Sequence, residues 1–295
     1  MNSKLKVHLV LALVSLLFAA NYTIAKVIMP AYISAFGMIA FRVPVATLLF
    51  WIFHRFLGKS QMPASKDLVR FFASAIFGVA INQLFFFKGI SLTSPIMGSV
   101  IMTLTPISVL IISYFLIKEK ITWVKSIGII TGAIGAVLLI TSEGTDISNS
   151  TFQGNIFILI NAISYSIYLV IVKPLMLKYD ALTVIKWVFL FGSFMVVPFG
   201  FNDLILADWL NFNYTIWLSV AYIIMGSTFL AYLLNLWTLK KVSPTLVGYY
   251  IYLQPLFTTI IAMLFRGDEL TVNHIVFSIM IFTGVFMVSY SKTSS

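Results

Sequence analysis

Apolar residues run along this chain in stretches of about 20, and short groups of charged, Gly, Pro or Asn residues separate the stretches. A helix of about 20 apolar residues crosses roughly 30 Å of hydrocarbon. The period-2 alternation that is typical of membrane β-strands is absent. The pattern therefore predicts an all-α polytopic membrane protein with ten transmembrane helices. These spans cover residues 8–28, 34–53, 68–87, 95–117, 122–141, 152–172, 182–201, 214–238, 245–265 and 272–290.

The composition agrees with this class, because 60% of the 295 residues are hydrophobic and only 9% are charged. Soluble domains contain about 25% charged residues. Lys4 and Lys6 precede the first apolar stretch, as in a signal peptide. Nine further spans follow, however, so we expect span 1 to be a transmembrane helix. The chain has no cysteine, which excludes disulfides and thiol chemistry.

The positive residues fall mainly on one side of the predicted membrane. With the N-terminus inside, 15 of the 19 Lys and Arg residues lie on the inner side. Only Lys88 and Arg266 lie outside, while Lys26 and Arg42 lie within spans. Cytoplasmic loops are enriched in Lys and Arg, so both termini are predicted to be cytoplasmic. The net charge of +10 is thereby explained by topology, and we expect no nucleic-acid partner.

The second half of the sequence repeats the first with an offset of 149 residues. The offset places the Ser-Pro pair at 94–95 on the pair at 243–244, and Pro106 on Pro255. Nine of 44 residues are identical over 94–137, and Glu119 falls on Asp268. The sequence predicts two units, 1–145 and 146–295, with five spans each. Because five is odd, the second unit is inverted, as in many transporters.

Two prolines lie near the middle of spans 4 and 9. Pro106 and Pro255 lack an N–H and should leave the carbonyls of Met102 and Ile251 without their usual donors. In hydrocarbon such a carbonyl must face protein, water or a ligand. Each proline is therefore either a structural kink satisfied by neighbouring helices or part of a cavity lining. Their symmetric placement favours the cavity, and a bend or local unwinding is expected at both.

The repeated pattern resembles the EamA domain of the drug/metabolite transporter superfamily. It consists of a Ser-Pro start, a central Pro, an acidic residue at the helix end and a glycine-rich next helix, first in 94–137 and more weakly after 243. The first helices of the two halves, at 18–26 and 165–173, also fit. The resemblance covers essentially the whole chain as two tandem copies. It implies a ten-helix carrier of the inner (plasma) membrane with a central cavity, often exporting amino acids or other small metabolites.

Two basic residues lie inside the spans. Lys26 is near the outer end of span 1, where it either reaches the headgroups or serves the transport path. Arg42 lies about eight residues, or roughly 12 Å, below the outer start of span 2. Charges inside a membrane usually face a cavity or a partner, and no span core contains Asp or Glu. A substrate carboxylate and backbone carbonyls at a helix C-terminus are equally good partners for Arg42.

Further polar residues at membrane depth are candidates for the cavity wall. Amides in membrane helices often join helices to one another, and aromatic residues near span ends often form interfacial belts. Tyr252 and Gln254 lie too deep for a belt and are expected to line one cavity with Arg42. The candidate substrate-binding residues are Asn21, Tyr22, Arg42, Asn82, Gln83, Thr103, Tyr168, Tyr249, Tyr252 and Gln254.

Other classes of membrane protein fit the sequence less well. The three histidines lie at span ends without i, i+4 pairing, and no ATP-binding loop occurs. We therefore expect no enzyme activity, no metal site and no cofactor, and predict facilitated or secondary transport of a small-molecule substrate. A nonselective channel and a lipid-flipping or structural membrane component are the alternatives. The oligomeric state is open, and a monomer is compatible with the sequence.

Overall fold

A computed structural model describes residues 3–57, 61–117, 122–141, 149–242, 244–267 and 271–290. Within these ranges the chain folds into helices and turns, and no strand occurs. The predicted boundary between the two units, at 145–146, lies outside the described residues, as do Glu119 and Asp268. The all-α prediction is confirmed.

Among the described residues, eight helices are long and apolar enough to cross a membrane, judged by length and composition. Spans 5 and 10 complete the set as helices that contain shorter apolar stretches. Spans 3, 6 and 7 are longer than predicted, because their helices continue past the apolar stretch into charged residues such as Asp67, Lys178 and Asp203. In order, the ten spans are Ser3–Ile28, Ala35–Leu57, Ser65–Leu92, Pro95–Leu116, Trp123–Thr141, Ser150–Lys178, Ala181–Leu206, Tyr214–Leu239, Leu246–Arg266 and Val272–Tyr290.

Spans 4 and 9 are both interrupted just before their central prolines. Span 4 consists of Pro95–Met102 and Thr105–Ile117, separated by a turn. Span 9 passes through a short 3-10 segment, Tyr250–Tyr252, before it continues as an α-helix. A proline cannot donate to the residue four positions earlier and clashes with that carbonyl. The expected local unwinding is therefore present in both spans.

Spans 2 and 7 occupy equivalent positions in the two halves and pack side by side in opposite directions. A Cβ added at Gly200 would lie 2.0 Å from the carbonyl oxygen of Phe36. Further along, the rings of Trp51 and Trp187 have centroids 5.6 Å apart. Residue numbers in span 7 fall as those in span 2 rise. These two equivalent helices are therefore antiparallel.

Spans 5 and 10 form a second equivalent pair with the same relation. Gly135 packs against Met280 and Ile281, whereas Gly284 packs against Gly128 and Gly132. The glycines allow the two backbones to approach closely, and the numbering again runs in opposite directions. Two pairs of equivalent spans that each run antiparallel are the geometry expected of inverted repeats. The predicted inversion agrees with this packing.

The contacts among six central spans follow the same exchange between halves. Span 3 packs on span 6, and its equivalent, span 8, packs on span 1. Span 4 also packs on span 6, and span 9 on span 1. Exchanging the halves therefore converts each contact into another contact of the structure. Spans 1, 3, 4, 6, 8 and 9 surround the centre of the molecule through these contacts.

Spans 3 and 8 each contain a π-helical segment, which hydropathy did not predict. The segments are Ile76–Ala80 and Tyr222–Leu230, and the offset of 149 places the first, as 225–229, inside the second. The N–H of Ile81 donates to the carbonyl of Ile76, five residues earlier. Such segments insert an extra residue into a helical turn and often lie at functional sites. Here they directly precede Gln83 and Tyr232.

Candidate substrate-binding site

A cavity of about 450 Å³ lies between the two halves. Side chains from seven spans line it, and most of them are amides or aromatic rings. Arg42 is the single charged side chain among the described lining residues. The lining consists of Phe18, Asn21, Tyr22, Arg42, Asn82, Gln83, Phe86, Met102, Asn161, Tyr165, Ser227, Tyr232 and Gln254.

The guanidinium group of Arg42 is held inside the protein, with only 2% of the residue exposed. Its Nη2 donates a hydrogen bond to Oε1 of Gln83. The ring of Phe87 covers the group, with its centroid 4.3 Å from Cζ. Nε and Nη1, which carry three of the five guanidinium hydrogens, donate to no described group. A side-chain amide and an aromatic face thus hold Arg42, and of its two candidate partners the carbonyls of a helix end are not among its described contacts.

Gln83 connects Arg42 to a small hydrogen-bond network. Because its Oε1 accepts from Arg42, its Nε2 is directed towards the hydroxyl of Tyr232 and towards Oδ1 of Asn82, the latter at 3.1 Å. The Tyr232 hydroxyl in turn lies 3.1 Å from Oδ1 of Asn82 and 3.3 Å from the carbonyl of Gly78 in the π-helical segment. These hydrogen bonds hold the side chain of Gln83 in place, and Gln83 in turn orients Arg42.

Other hydrogen bonds cross the cavity wall between the halves. The hydroxyl of Tyr22 donates to Oε1 of Gln254 at 3.2 Å, and that of Ser227 donates to Oδ1 of Asn21 at 2.8 Å. Nδ2 of Asn161 donates to the carbonyl of Asn82 at 2.7 Å. Oδ1 of Asn161 is buried and accepts no described hydrogen bond. Two residues of the lining, Arg42 and Asn161, therefore carry buried polar atoms without a described hydrogen-bond partner.

Six of the ten predicted binding residues meet at this cavity: Asn21, Tyr22, Arg42, Asn82, Gln83 and Gln254. Tyr252 does not line it, although it was expected beside Gln254. Two residues advance a helix by about 200°, so neighbours at this spacing face opposite sides. The rings of Tyr249 and Tyr252 lie stacked, with centroids 6.4 Å apart, and Tyr252 packs on Phe282 of span 10. Tyr252 therefore faces span 10, and Tyr249 stacks on Tyr252.

Thr103 and Tyr168 also lie outside the cavity lining. Oγ1 of Thr103 donates to the carbonyl of Val100 at 2.6 Å, so its hydroxyl serves the interrupted helix of span 4. The ring of Tyr168 packs against Gly78, where an added Cβ would lie 2.3 Å from the ring. Met102 and Tyr165 line the cavity in their place. Thr103 and Tyr168 are both buried within the bundle, but neither lines the cavity.

Several lining residues were absent from the predicted set, notably Tyr232, Ser227, Asn161 and Tyr165. The repeat itself contained a signal for one of them, because Gln83 plus 149 is position 232. In an inverted repeat, the residue equivalent to a predicted site residue is itself a candidate for the site. The π-helical segments rotate the following residues, and they determine which side chains of spans 3 and 8 face inwards.

Two equivalent lysines bind the ends of spans 3 and 8. Nζ of Lys26 donates to the carbonyl of Ser91 at 2.8 Å, at the end of span 3. Nζ of Lys173 donates to the carbonyls of Leu239 and Val242, the latter at 2.7 Å, at the end of span 8. Cations are favourable at helix C-termini. Lys26 thus binds a neighbouring helix end, and its counterpart does so in the other half.

The helical bundle, its inverted halves and the central polar cavity define a class, the multi-pass membrane transporters. The chain belongs to the EamA-like transporter family, whose model matches residues 5–141 and 152–290 as two repeats. An uncharacterized transporter of Archaeoglobus fulgidus is 26% identical and covers 97% of this chain and 98% of its own length.

Further relatives agree with this membership, and a solved structure shares the fold. A WAT1-related protein of Arabidopsis thaliana is 26% identical, over 97% of this chain and 82% of its own. The uncharacterized transporter YyaM of Bacillus subtilis is 23% identical, over 97% and 94%. One crystal structure aligns with a TM-score of 0.69 at 17% identity, covering 97% of this chain and 98% of the other. At that identity the likeness concerns the fold.

Proposed function

We propose that this protein is a secondary or facilitative transporter that moves small metabolites across the inner (plasma) membrane by alternating access. The observation that carries the proposal is the buried polar cavity between two inverted halves, with Arg42 in its wall. Substrates of inverted-repeat transporters bind between the halves near the middle of the bilayer. The termini face the cytoplasm in this proposal, which rests on the distribution of Lys and Arg.

In this proposal the interrupted helices of spans 4 and 9 and the ends of spans 3 and 8 move during transport. Spans 4 and 9 bend at the segments before Pro106 and Pro255, where backbone hydrogen bonds to the residue three positions earlier replace α-helical ones. Lys26 closes the outer face, because it binds the end of span 3. Lys173 closes the inner face, because it binds the end of span 8. Release of one contact opens one face while the other stays closed. The direction of net transport is export, and the substrates are amino acids or related compounds, as the family resemblance implies.

Exchange transport tests this proposal even while the substrate is unidentified. Proteoliposomes are loaded with an unlabelled metabolite extract and placed in a trace of the same extract labelled with ¹³C. A carrier exchanges internal for external substrate, so labelled substrate accumulates faster than in liposomes loaded with buffer. Mass spectrometry of the vesicle contents identifies the compound. Protein-free liposomes are the control for leakage.

The alternatives give different results in the same experiment. A nonselective channel admits many labelled compounds at a rate that internal metabolites do not increase. A lipid-flipping or structural component admits none. Either result would contradict the proposed transport mechanism.

A further inference from the structure

We infer that the cavity selects a small organic monoanion with an apolar body and a hydrogen-bond donor, in preference to a zwitterionic amino acid. The inference rests on the proposed transport function and narrows its substrates, amino acids or related compounds, to related compounds that carry no ammonium group. It follows from the charge balance of the cavity, the unpaired polar atoms of its wall and the character of the remaining surface.

The charge balance favours an anion. Arg42 is the single charged side chain among the described lining residues, and an arginine stays protonated in proteins. An uncompensated charge inside a membrane is unfavourable. A bound monoanion makes the site neutral, whereas a zwitterion leaves one net positive charge. A cation would add a second positive charge to it.

The unpaired atoms define where the polar groups of the substrate bind. Nε and Nη1 of Arg42 are buried donors without a described acceptor, and they match the oxygens of a carboxylate. Oδ1 of Asn161 is a buried acceptor without a described donor. This oxygen accepts one hydrogen bond from a hydroxyl or N–H of the substrate. An amide oxygen cannot neutralise an ammonium group, so it fits a neutral donor better.

The polar lining residues other than Arg42 and Asn161 are hydrogen-bonded within the protein, and the remaining part of the wall is apolar. The rings of Phe18, Tyr22, Phe86 and Tyr165 and the side chain of Met102 face the cavity. The faces of such rings attract apolar and planar groups. A carboxylate attached to a single ring-sized apolar body matches this lining.

Four compounds with one phenyl body test the inference in proteoliposomes containing the wild-type protein. These are 3-phenyllactate, 3-phenylpropanoate, phenylalanine and 2-phenylethylamine. Phenyllactate and phenylalanine differ in one group, a hydroxyl against an ammonium. We expect saturable, protein-dependent uptake of phenyllactate at least about tenfold above that of phenylalanine. We expect weaker uptake of phenylpropanoate, which lacks the donor, and none of phenylethylamine.

Three variants and one control variant test whether Arg42 and Asn161 cause the substrate preference. Arg42→Gln should lower phenyllactate uptake about tenfold or more, while Arg42→Lys should keep the preference for anions at a reduced rate. Arg55→Gln, an exposed position on the same helix, is the matched control and should change neither. Asn161→Asp adds a carboxylate and should shift the preference towards phenylalanine. All rates are normalised to protein inserted in the vesicles.

The inference is overturned if phenylalanine is taken up as well as phenyllactate, or if none of the four compounds shows saturable uptake. It is also overturned if Arg42→Gln retains the anion preference at normal insertion. None of these results decides the proposed function, because exchange of the labelled extract tests that separately. Extract exchange without phenyllactate uptake would leave a transporter with a different substrate class.

Discussion

The side-chain amide of Gln83 donates a hydrogen bond to the hydroxyl of Tyr232, and the two residues are 149 positions apart, the offset that relates the two halves of the sequence. Residues that are equivalent under a two-fold relation can touch only near its axis. The pair therefore marks the pseudo-two-fold axis of the molecule at the cavity wall. Arg42 binds the same Gln83, so the cationic group is anchored at the boundary between the halves.

We expect Gln83 and Tyr232 to be energetically coupled. Tyr232→Phe leaves Nε2 of Gln83 without one acceptor, and an unsatisfied buried group costs about 1–3 kcal/mol. Gln83→Leu removes the same bond. The double variant should therefore be more stable than the sum of the single effects predicts, by about 0.5 kcal/mol or more. The measurement is a double-mutant cycle on the free energy of unfolding in mixed micelles.

Tyr222 supplies a matched control for that cycle. Its hydroxyl donates to the carbonyl of Leu17 at 2.8 Å, and no described hydrogen bond joins it to Gln83. Tyr222→Phe combined with Gln83→Leu should be additive. Additivity in the Tyr232 cycle as well would mean that the central pair does not join the halves.

The approach of spans 2 and 7 should be sensitive to a single methyl group. In Gly200→Ala the added Cβ would lie 2.0 Å from the backbone oxygen of Phe36, which cannot move independently of span 2. Overpacking of this kind costs about 1–3 kcal/mol, and the melting temperature in detergent should fall. Gly248→Ala is the control, since its nearest neighbour would be at an ordinary 3.6 Å. An unchanged melting temperature for Gly200→Ala would contradict the close helix contact.

The orientation in the membrane is a separate prediction. A reporter that is active only in the cytoplasm, fused after Ser295, should be active, because 15 of the 19 Lys and Arg residues then face inwards. A reporter that is active only outside the cytoplasm should be silent at the same position. The opposite pair of results would reverse the assignment of every loop.

Hydropathy and proline positions predicted much of the fold, because both act locally. A 20-residue apolar stretch must form backbone hydrogen bonds within itself, and Pro106 must interrupt them wherever its helix packs. The inversion followed from an odd number of spans. The helix extensions at Lys178 and Asp203 were missed, since they depend on contacts outside the hydrocarbon.

The sequence predicted which polar residues lie inside the spans better than it predicted the helix face on which each of them lies. Arg42 and the amides of span 3 were found because polar groups are rare at that depth. Tyr252 was misplaced because two residues along a helix point to opposite faces. Tyr232 was missed because the π-helical segment of span 8, which has no recognisable composition, sets the direction of the residues after it. The hydrophobic pattern of the sequence does not show that a π-helical segment rotates the residues after it.

In the proposed transport cycle the two faces open alternately, and Lys26 and Lys173 control which face opens. The chain has no cysteine, so Met102→Cys places a single thiol in the cavity wall. Ile134→Cys, at an exposed position on span 5, is the control and should resist a water-soluble reagent in lipid.

The deciding measurement is the labelling of that thiol by a membrane-impermeant reagent added to one face at a time. Lys26→Gln should increase labelling from the outer face several-fold and decrease it from the inner face, because it releases the end of span 3. Lys173→Gln should do the reverse at span 8. An increase from both faces in either variant, or no labelling from either face, would contradict alternating access.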